Sequence, residues 1–340
     1  MNDIITIKAN KPDFLVIGDI HLCNTPPSCR LDNYAETCIK KIEFVLDYCI
    51  ENEINLVVIE GDVFHKHQIP IPFLSTIIST INNKKEQFKL KYNTELVIAS
   101  IIGNHDLPFE NYKYIDRSPI YLLFETNTLK HFNHITLSSG EEVIEINGFD
   151  YSLPIEESTK KNECCVAHVF YGFDFSNANL PSKDSTNDRI SEKKAKELGY
   201  QVYFLGHDHT DYGVVEKSTY TVVRPGSLLR NSCHVQQVNR FPCFYHVTKK
   251  ENKYEFKRVE VSIALSCQAV FTRESLVRPK KQELEESVKS RISDIIFSLS
   301  EEEKEDDSIT EILNKIIEEK NLDKEVQSVL LKYISRENLV

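Results

Sequence analysis

The chain has no tryptophan, one methionine and only ten glycines among its 340 residues. It contains no run of about 18 apolar residues, which excludes a membrane-spanning helix. Its amino terminus, Met1-Asn2-Asp3-Ile4, has no basic flank leading into an apolar stretch and a small-residue cleavage site, so no secretory signal is read there. Nine cysteines are present, at 23, 29, 38, 49, 164, 165, 233, 243 and 267, and no two are spaced CxxC. An odd set without that spacing reads as small hydrophobes in a reducing compartment, not as a zinc or disulfide framework. Cys38 and Cys49, for instance, fall on the apolar stripe Ala35, Cys38, Ile42, Val45, Cys49 of a predicted helix. The expected location is intracellular and cytoplasmic, in the host cytoplasm if the source is viral. A surplus of positive charge is also missing. The formal net charge is -11, which argues against a generically basic nucleic-acid coat, because clustered Lys and Arg supply phosphate affinity.

What is there supports a packed protein: 41% hydrophobic residues and 10% aromatics, in a length that suggests two domains or one large domain with an appendage. The charge is segregated. Residues 1–216 sum to -12, residues 217–281 to +9 and residues 282–340 to -8. The first two-thirds alternates short β-branched runs with amphipathic helical periods, the signature of an α/β sheet protein. Strands are predicted at 14–17, 56–59, 96–101, 164–167 and 202–205, a strand pair within 130–149, and helices over 32–51 and 72–90. Residues 174–187, rich in Ser, Asn, Asp and Pro, read as a surface loop. After 212 the pattern turns to consecutive strands, at 212–216, 219–224, 241–247 and 254–261. Helical periodicity returns from about 281.

Five predicted strands end in a cluster of Gly with Asp, His or Asn. These are Gly18-Asp19-Ile20-His21, Gly61-Asp62-Val63-Phe64, Gly103-Asn104-His105-Asp106, Ala167-His168 and Gly206-His207-Asp208-His209. In α/β sheets, ligands bind outside the carboxyl ends of the strands, so five such ends can converge on one point. Aspartate, imidazole and an amide oxygen suit manganese, iron or zinc, whereas a calcium cage wants oxygens alone. Singly, each cluster is weak, since glycine also serves turns and close strand-to-helix packing. Neither explanation accounts for a metal-competent residue at all five ends.

The ordered set resembles the calcineurin-like metallophosphoesterases over residues 13 to about 262, and within them the SbcD-type nuclease subunits with their phage and eukaryotic meiotic-recombination counterparts. His65, directly after Gly61-Asp-Val-Phe64, and the turn Arg224-Pro-Gly-Ser227 are similar to that branch. The resemblance implies a four-layer αββα metallophosphoesterase sandwich with a small α+β capping region and a C-terminal helical module. It implies two divalent metal ions, of which manganese is the expected species. Asp19, His21, Asp62 and His209 would hold one, and Asp62 would bridge to a second held by Asn104, His168 and His207. His105 would face the leaving sugar oxygen as proton donor or charge stabiliser, Asp106 would orient its ring, and His65 would touch the phosphate or its nucleoside. Ala167 departs from the glycine that many phosphoesterases carry before the fourth-motif His. Asp208 and His67 are expected to face solvent, and His131, His134, His234 and His246 to be ordinary packed or surface residues.

The division expected along the chain is a nuclease domain at 1–262, a capping region at 263–300, an acidic linker at 301–307 and a helical module at 308–340. In the basic segment, Arg224 and Arg230 are the leading candidates for DNA phosphate contacts; solvated strand edges protected by Lys are the competing reading. Two apolar stripes in 308–340 need a partner surface. They either fold back or, as the resemblance implies, grip an SbcC-like coiled-coil ATPase. A homodimer is expected from the resemblance alone. The expected activity is metal-dependent DNA exonuclease and endonuclease hydrolysis in end processing, repair or recombination. Its enzymatic rival is a phosphoprotein or cyclic-nucleotide phosphoesterase with the same ligands, and a non-catalytic assembly subunit is a third reading.

Overall fold

A strand buried along its whole length needs cover on both faces, and the run Asp13–Ile17 is such a strand. Phe14 and Val16 point to one side and Leu15 and Ile17 to the other, as the two-residue period requires. The two sets belong to different clusters of the core. The structure, a computed structural model, describes residues 3–160, 162–172, 188–232, 238 and 240–272. The predicted loop 174–187, His234, the linker 301–307, the module 308–340 and the capping region beyond 272 lie outside the described residues.

In chain order the elements are β1 (Ile4–Lys8), β2 (Asp13–Ile17), α1 (Tyr34–Asn52), β3 (Leu56–Ile59), α2 (Ile71–Tyr92), β4 (Val97–Ser100), α3 (Pro119–Glu125), β5 (Lys130–His131), β6 (His134–Ser139) and β7 (Glu142–Phe149). They continue as β8 (Cys164–His168), β9 (Phe170–Gly172), β10 (Arg189–Ser191), α4 (Glu192–Leu198), β11 (Val202–Gly206), β12 (Gly213–Glu216), β13 (Thr221–Arg224), β14 (Cys243–Lys250), β15 (Lys253–Glu260) and α5 (Cys267–Val270). One sheet has six strands in the order β15-β14-β2-β3-β4-β5 and the other seven, β1-β6-β7-β8-β11-β13-β12. The sheets pack face to face over a core that includes Phe14, Val58, Ala99, Val166, Phe204 and Val247. Phe14 and Phe204 meet edge to face at 5.8 Å across it, and truncating either to Ala is expected to cost about 3–5 kcal/mol. On the outer face of the six-stranded sheet lie α1 and α2, with Cys38 and Cys49 buried as the stripe predicts. Beneath the seven-stranded sheet, α4 buries Ala195 and Leu198. The result is the expected four-layer αββα sandwich.

Register decides where the loops emerge. Ile17, Ile59 and Ser100 are aligned partners across parallel β2, β3 and β4, so the three chains leave the sheet at one level. In the second sheet His168 is aligned with Gly206 across parallel β8 and β11. The carboxyl ends of both sheets therefore open toward the same space. Strand β1 was not anticipated. It pairs in parallel with β6, about 130 residues away, and exposes alternate residues as an edge strand, a pairing that local pattern does not reveal.

Candidate active site and metal centre

Three candidate ligands sit in the left-handed region that side chains rarely occupy: His21 at φ 58°, Asp62 at φ 49° and His207 at φ 81°. Such strain collects at functional sites, where surrounding structure holds it in place. Gly103 shows how tight the holding is. A Cβ there would collide with the Asp62 carboxylate and its backbone nitrogen, so no other residue fits where the loop after β4 crosses the loop after β3.

The side chains of Asp19, His21, Asp62 and His209 converge, each offering one ligand atom within 4.8 Å of the others. His21 Nε2 and His209 Nε2 are 2.7 Å apart, and Asp19 Oδ2 lies 3.5 Å from His209 Nε2. A second group forms beside it. Asn104 Oδ1 is 3.0 Å from both His168 Nε2 and His207 Nδ1, and those two nitrogens are 3.1 Å apart. Asp62 Oδ2 stands between the groups, 3.5 Å from His21 Nε2 and 3.4 Å from His168 Nε2. This oxygen is buried and accepts no hydrogen bond, an expensive state for a carboxylate unless a cation faces it. Its companion Oδ1 accepts the His105 N–H at 2.9 Å. All seven sequence-predicted ligand candidates are thus brought together, and oxygen and imidazole donors in this number are chemically suited to divalent metal, with Asp62 facing both groups.

The electrostatics suit that use. Burial pushes His21 well below its ordinary value, and His207 and His209 down to about 2 and about 4, so these rings are neutral and have lone pairs to give. Burial also works on Asp62, but His168 and His105 overcome it and hold the carboxylate well below its usual range. Asp19 behaves oppositely, pushed up to about 7 chiefly by burial. On His168 burial is the largest influence and lowers it, yet Asp62 and Asp19 together carry the ring up to about 10. Without metal, a proton on His168 supplies the positive charge that this cluster of carboxylates demands.

His105 and His65 stack with ring centroids 5.3 Å apart and planes 16° from parallel. His105 Nδ1 lies 3.0 Å from the His65 carbonyl oxygen, so Nδ1–H donates there. His65 is neutral, lowered to about 3 mainly by burial. The expectation that Asp106 orients the His105 ring is corrected by the structure. Asp106 is fully buried and accepts N–H groups from Gly103 at 3.0 Å, Phe64 at 3.0 Å and Val63 at 3.3 Å; it ties two ligand loops together, while a backbone carbonyl orients the ring.

Arg224 and Arg230 also differ from expectation, since neither is placed as a surface phosphate contact. Arg224 is 5% exposed and forms an ion pair with Asp208 at 2.5 Å. Arg230 is 2% exposed and donates to the Leu265 carbonyl. Asp208 consequently has a partner and is not simply a solvated acid. His131, His134 and His246 are packed against carboxylates, His131 between Asp3 at 2.6 Å and Asp150 at 3.0 Å.

Sequence reasoning missed Glu60. It is fully buried with neither carboxylate oxygen hydrogen-bonded, and burial followed by Asp19 raises it well above its ordinary value. Its carbonyl accepts from His168 Nδ1 at 2.8 Å, which turns Nε2 toward the site. Only its place directly before Gly61-Asp62 could have drawn attention to it.

A family model described as "Calcineurin-like phosphoesterase" matches residues 12–211, which spans every one of the seven converging side chains. The chain belongs to the calcineurin-like phosphoesterase family. The matched residues carry a donor set suited to divalent metal. Solved structures of similar shape include a putative 5'-nucleotidase from Staphylococcus aureus in complex with alpha-ketoglutarate, at 12% identity and TM-score 0.44, covering 80% of this chain and 58% of that one. This chain therefore spans less than two-thirds of that protein's length. Another is TT1561 of Thermus thermophilus, at 10% identity and TM-score 0.40, covering 73% of this chain and 99% of that one. A search of curated proteins gives no match. Among the described residues no helix is long and apolar enough to cross a membrane.

Proposed function

We propose that this phosphoesterase is a metal-dependent DNA nuclease that cleaves phosphodiester bonds. The observation that carries the reading is the single unpaired oxygen of Asp62 between two donor groups, with the stacked His65–His105 pair at its edge. Asp19, His21, Asp62 and His209 would hold one ion, and Asn104, His168 and His207 with Asp62 the other. When bound, two such ions, with manganese the expected species, polarise a phosphodiester and lower the pKa of a water aligned for attack.

The chain's own residues do the rest. Because His105 Nδ1–H is committed to the His65 carbonyl, Nε2 is the atom that can hold a second proton and release it to the departing sugar oxygen. Stacking on neutral His65 fixes the plane of the ring, and the Asp106 carboxylate keeps the loops of Asp62 and Asn104 in mutual register. DNA as substrate is supported by the SbcD-like placement of His65 and of the Arg224-Pro-Gly-Ser227 turn. The same resemblance supports a homodimer that works with an SbcC-like ATPase through 308–340. Purified protein with manganese is assayed on single-stranded DNA, duplex ends, a phosphopeptide and a cyclic nucleotide. Cleavage of DNA alone is expected. Turnover confined to the phosphopeptide or the cyclic nucleotide contradicts the nuclease reading and leaves the phosphoesterase assignment standing.

A further inference from the structure

Aromatic rings border the site that the hydrolytic chemistry does not use. Phe170 lies with its ring centroid 4.0 Å from that of His207, and Tyr151 lies 5.6 Å from it. The Tyr151 hydroxyl donates to Glu110 at 3.5 Å, which links this wall to the loop after His105-Asp106. There Phe109 and Glu110 are consecutive left-handed residues, at φ 56° and 53°, and neither is glycine. The Phe109 ring sits 5.8 Å from His67 and 5.7 Å from Tyr114. Lys113 and Arg117, both exposed, hold their charges 5.4 and 5.2 Å from the Tyr114 centroid. The loop also carries the exposed acids Glu110 and Asp116.

These rings do not serve the interior. Phe109, Tyr114, Tyr151 and Phe170 are all part-exposed, and none belongs to a hydrophobic cluster of the described residues. A backbone strained at two successive positions to carry a part-exposed aromatic side chain, four residues after His105, is better explained by what the ring meets than by folding.

We propose that Phe109, Tyr114, Tyr151 and Phe170 form a stacking rim for unpaired nucleotides flanking the scissile phosphate. The substrate strand is then single-stranded, or frayed, where it crosses the site. This rests on the nuclease reading above and sharpens it. Ring faces with cations beside them match a strand whose bases are free to stack and whose phosphates remain exposed. In a duplex the base faces are already stacked on each other and cannot use the rim. The surface also replaces the buried Arg224 and Arg230 as the place where nucleic acid is gripped, with Lys113 and Arg117 as the exposed cations.

The test compares wild type, Phe109→Ala, Tyr114→Ala and Tyr114→Phe in the full chain with manganese. The value of kcat/KM is measured on a single-stranded oligonucleotide, on a blunt duplex, and on methyl p-nitrophenyl phosphate, a diester without bases. Wild type is expected to prefer the single strand. Each alanine variant should lose about tenfold on the single strand, the effect of one stacked base, while its rates on the duplex and the small diester stay unchanged. Tyr114→Phe should keep the wild-type preference. Equal losses on all three substrates would make the loop a structural support and overturn the rim, and no loss on the single strand would overturn it too. Wild type that hydrolyses the small diester and no polynucleotide defeats the nuclease reading before any variant is made, and takes the rim with it.

Discussion

Of the two donor groups that share Asp62, one adds Asp19 with His21 and His209, a second carboxylate with two rings that stay neutral. The other adds Asn104 with His168 and His207, an uncharged amide with one ring that holds a proton until a cation displaces it. Asp19 and Asp62 would both face an ion held by the first group, whereas the second group would offer chiefly the shared carboxylate, beside a His168 ring whose pKa is raised. Asp62 is therefore the carboxylate that faces both groups, 3.5 Å from His21 and 3.4 Å from His168, and the two positions should differ in affinity and in their response to pH.

The severest challenge to this contrast is Asp62→Asn. Removing the shared charge should empty both positions and bring phosphodiester hydrolysis to background, read by metal analysis and turnover together; robust activity would mean that the groups do not depend on a common anion. His105→Leu comes next, with turnover falling about 10²–10⁴-fold. His105 is not among the seven ligands, although its ring also packs edge to face on His21 at 4.9 Å; metal content should stay close to wild type, and a large loss of metal would make His105 structural.

The pH dependence separates the groups more finely. Asp19, raised to about 7, holds a proton below that pH, and His168, raised to about 10, holds one through the neutral range. Metal must displace these protons. Affinity at both positions should therefore rise with pH, and the rise at the second should continue to higher pH than at the first. Titration calorimetry in buffers of different ionisation enthalpy counts the released protons, and identical pH profiles would erase the distinction.

The smallest effect lies outside the groups. His131 bridges Asp3 and Asp150, and Asp150 accepts the Ile102 N–H just before Gly103. Burial lowers this histidine, but its two carboxylates win and raise it above 6.5. Its contribution to stability is thus complete below pH 6.5 and is lost as pH rises through the raised value. His131→Gln should cost about 1 kcal/mol at pH 6 and less at high pH, as denaturant melts at several pH values would show.

The converging side chains were legible in the sequence because each lies just after a short β-branched run, so strand end and candidate donor are read together. Helices α1 and α2 were legible from their apolar stripes, and the strand pair β6–β7 from its alternation. Contacts made at a distance were not. Nothing local shows that β1 pairs with β6, that Arg224 turns onto Asp208, or that the Asp106 carboxylate reaches back to Val63 and Phe64 when its neighbour His105 looked the natural partner. Glu60 escaped because a carboxylate before a Gly-Asp turn reads as solvent-exposed until its burial is seen. The aromatic rim escaped for a related reason, since the backbone conformation of Phe109 and Glu110, which no composition records, sets where those side chains go.

The paired site is tested most sharply by the number of divalent ions bound per chain in wild type and in His207→Ala, measured on manganese-loaded protein after removal of free metal. Two ions in wild type falling to one in the variant, with the first group still occupied and hydrolysis lost, is the predicted result. A single ion in wild type, or two ions and full activity in the variant, would contradict the paired site with Asp62 at its centre.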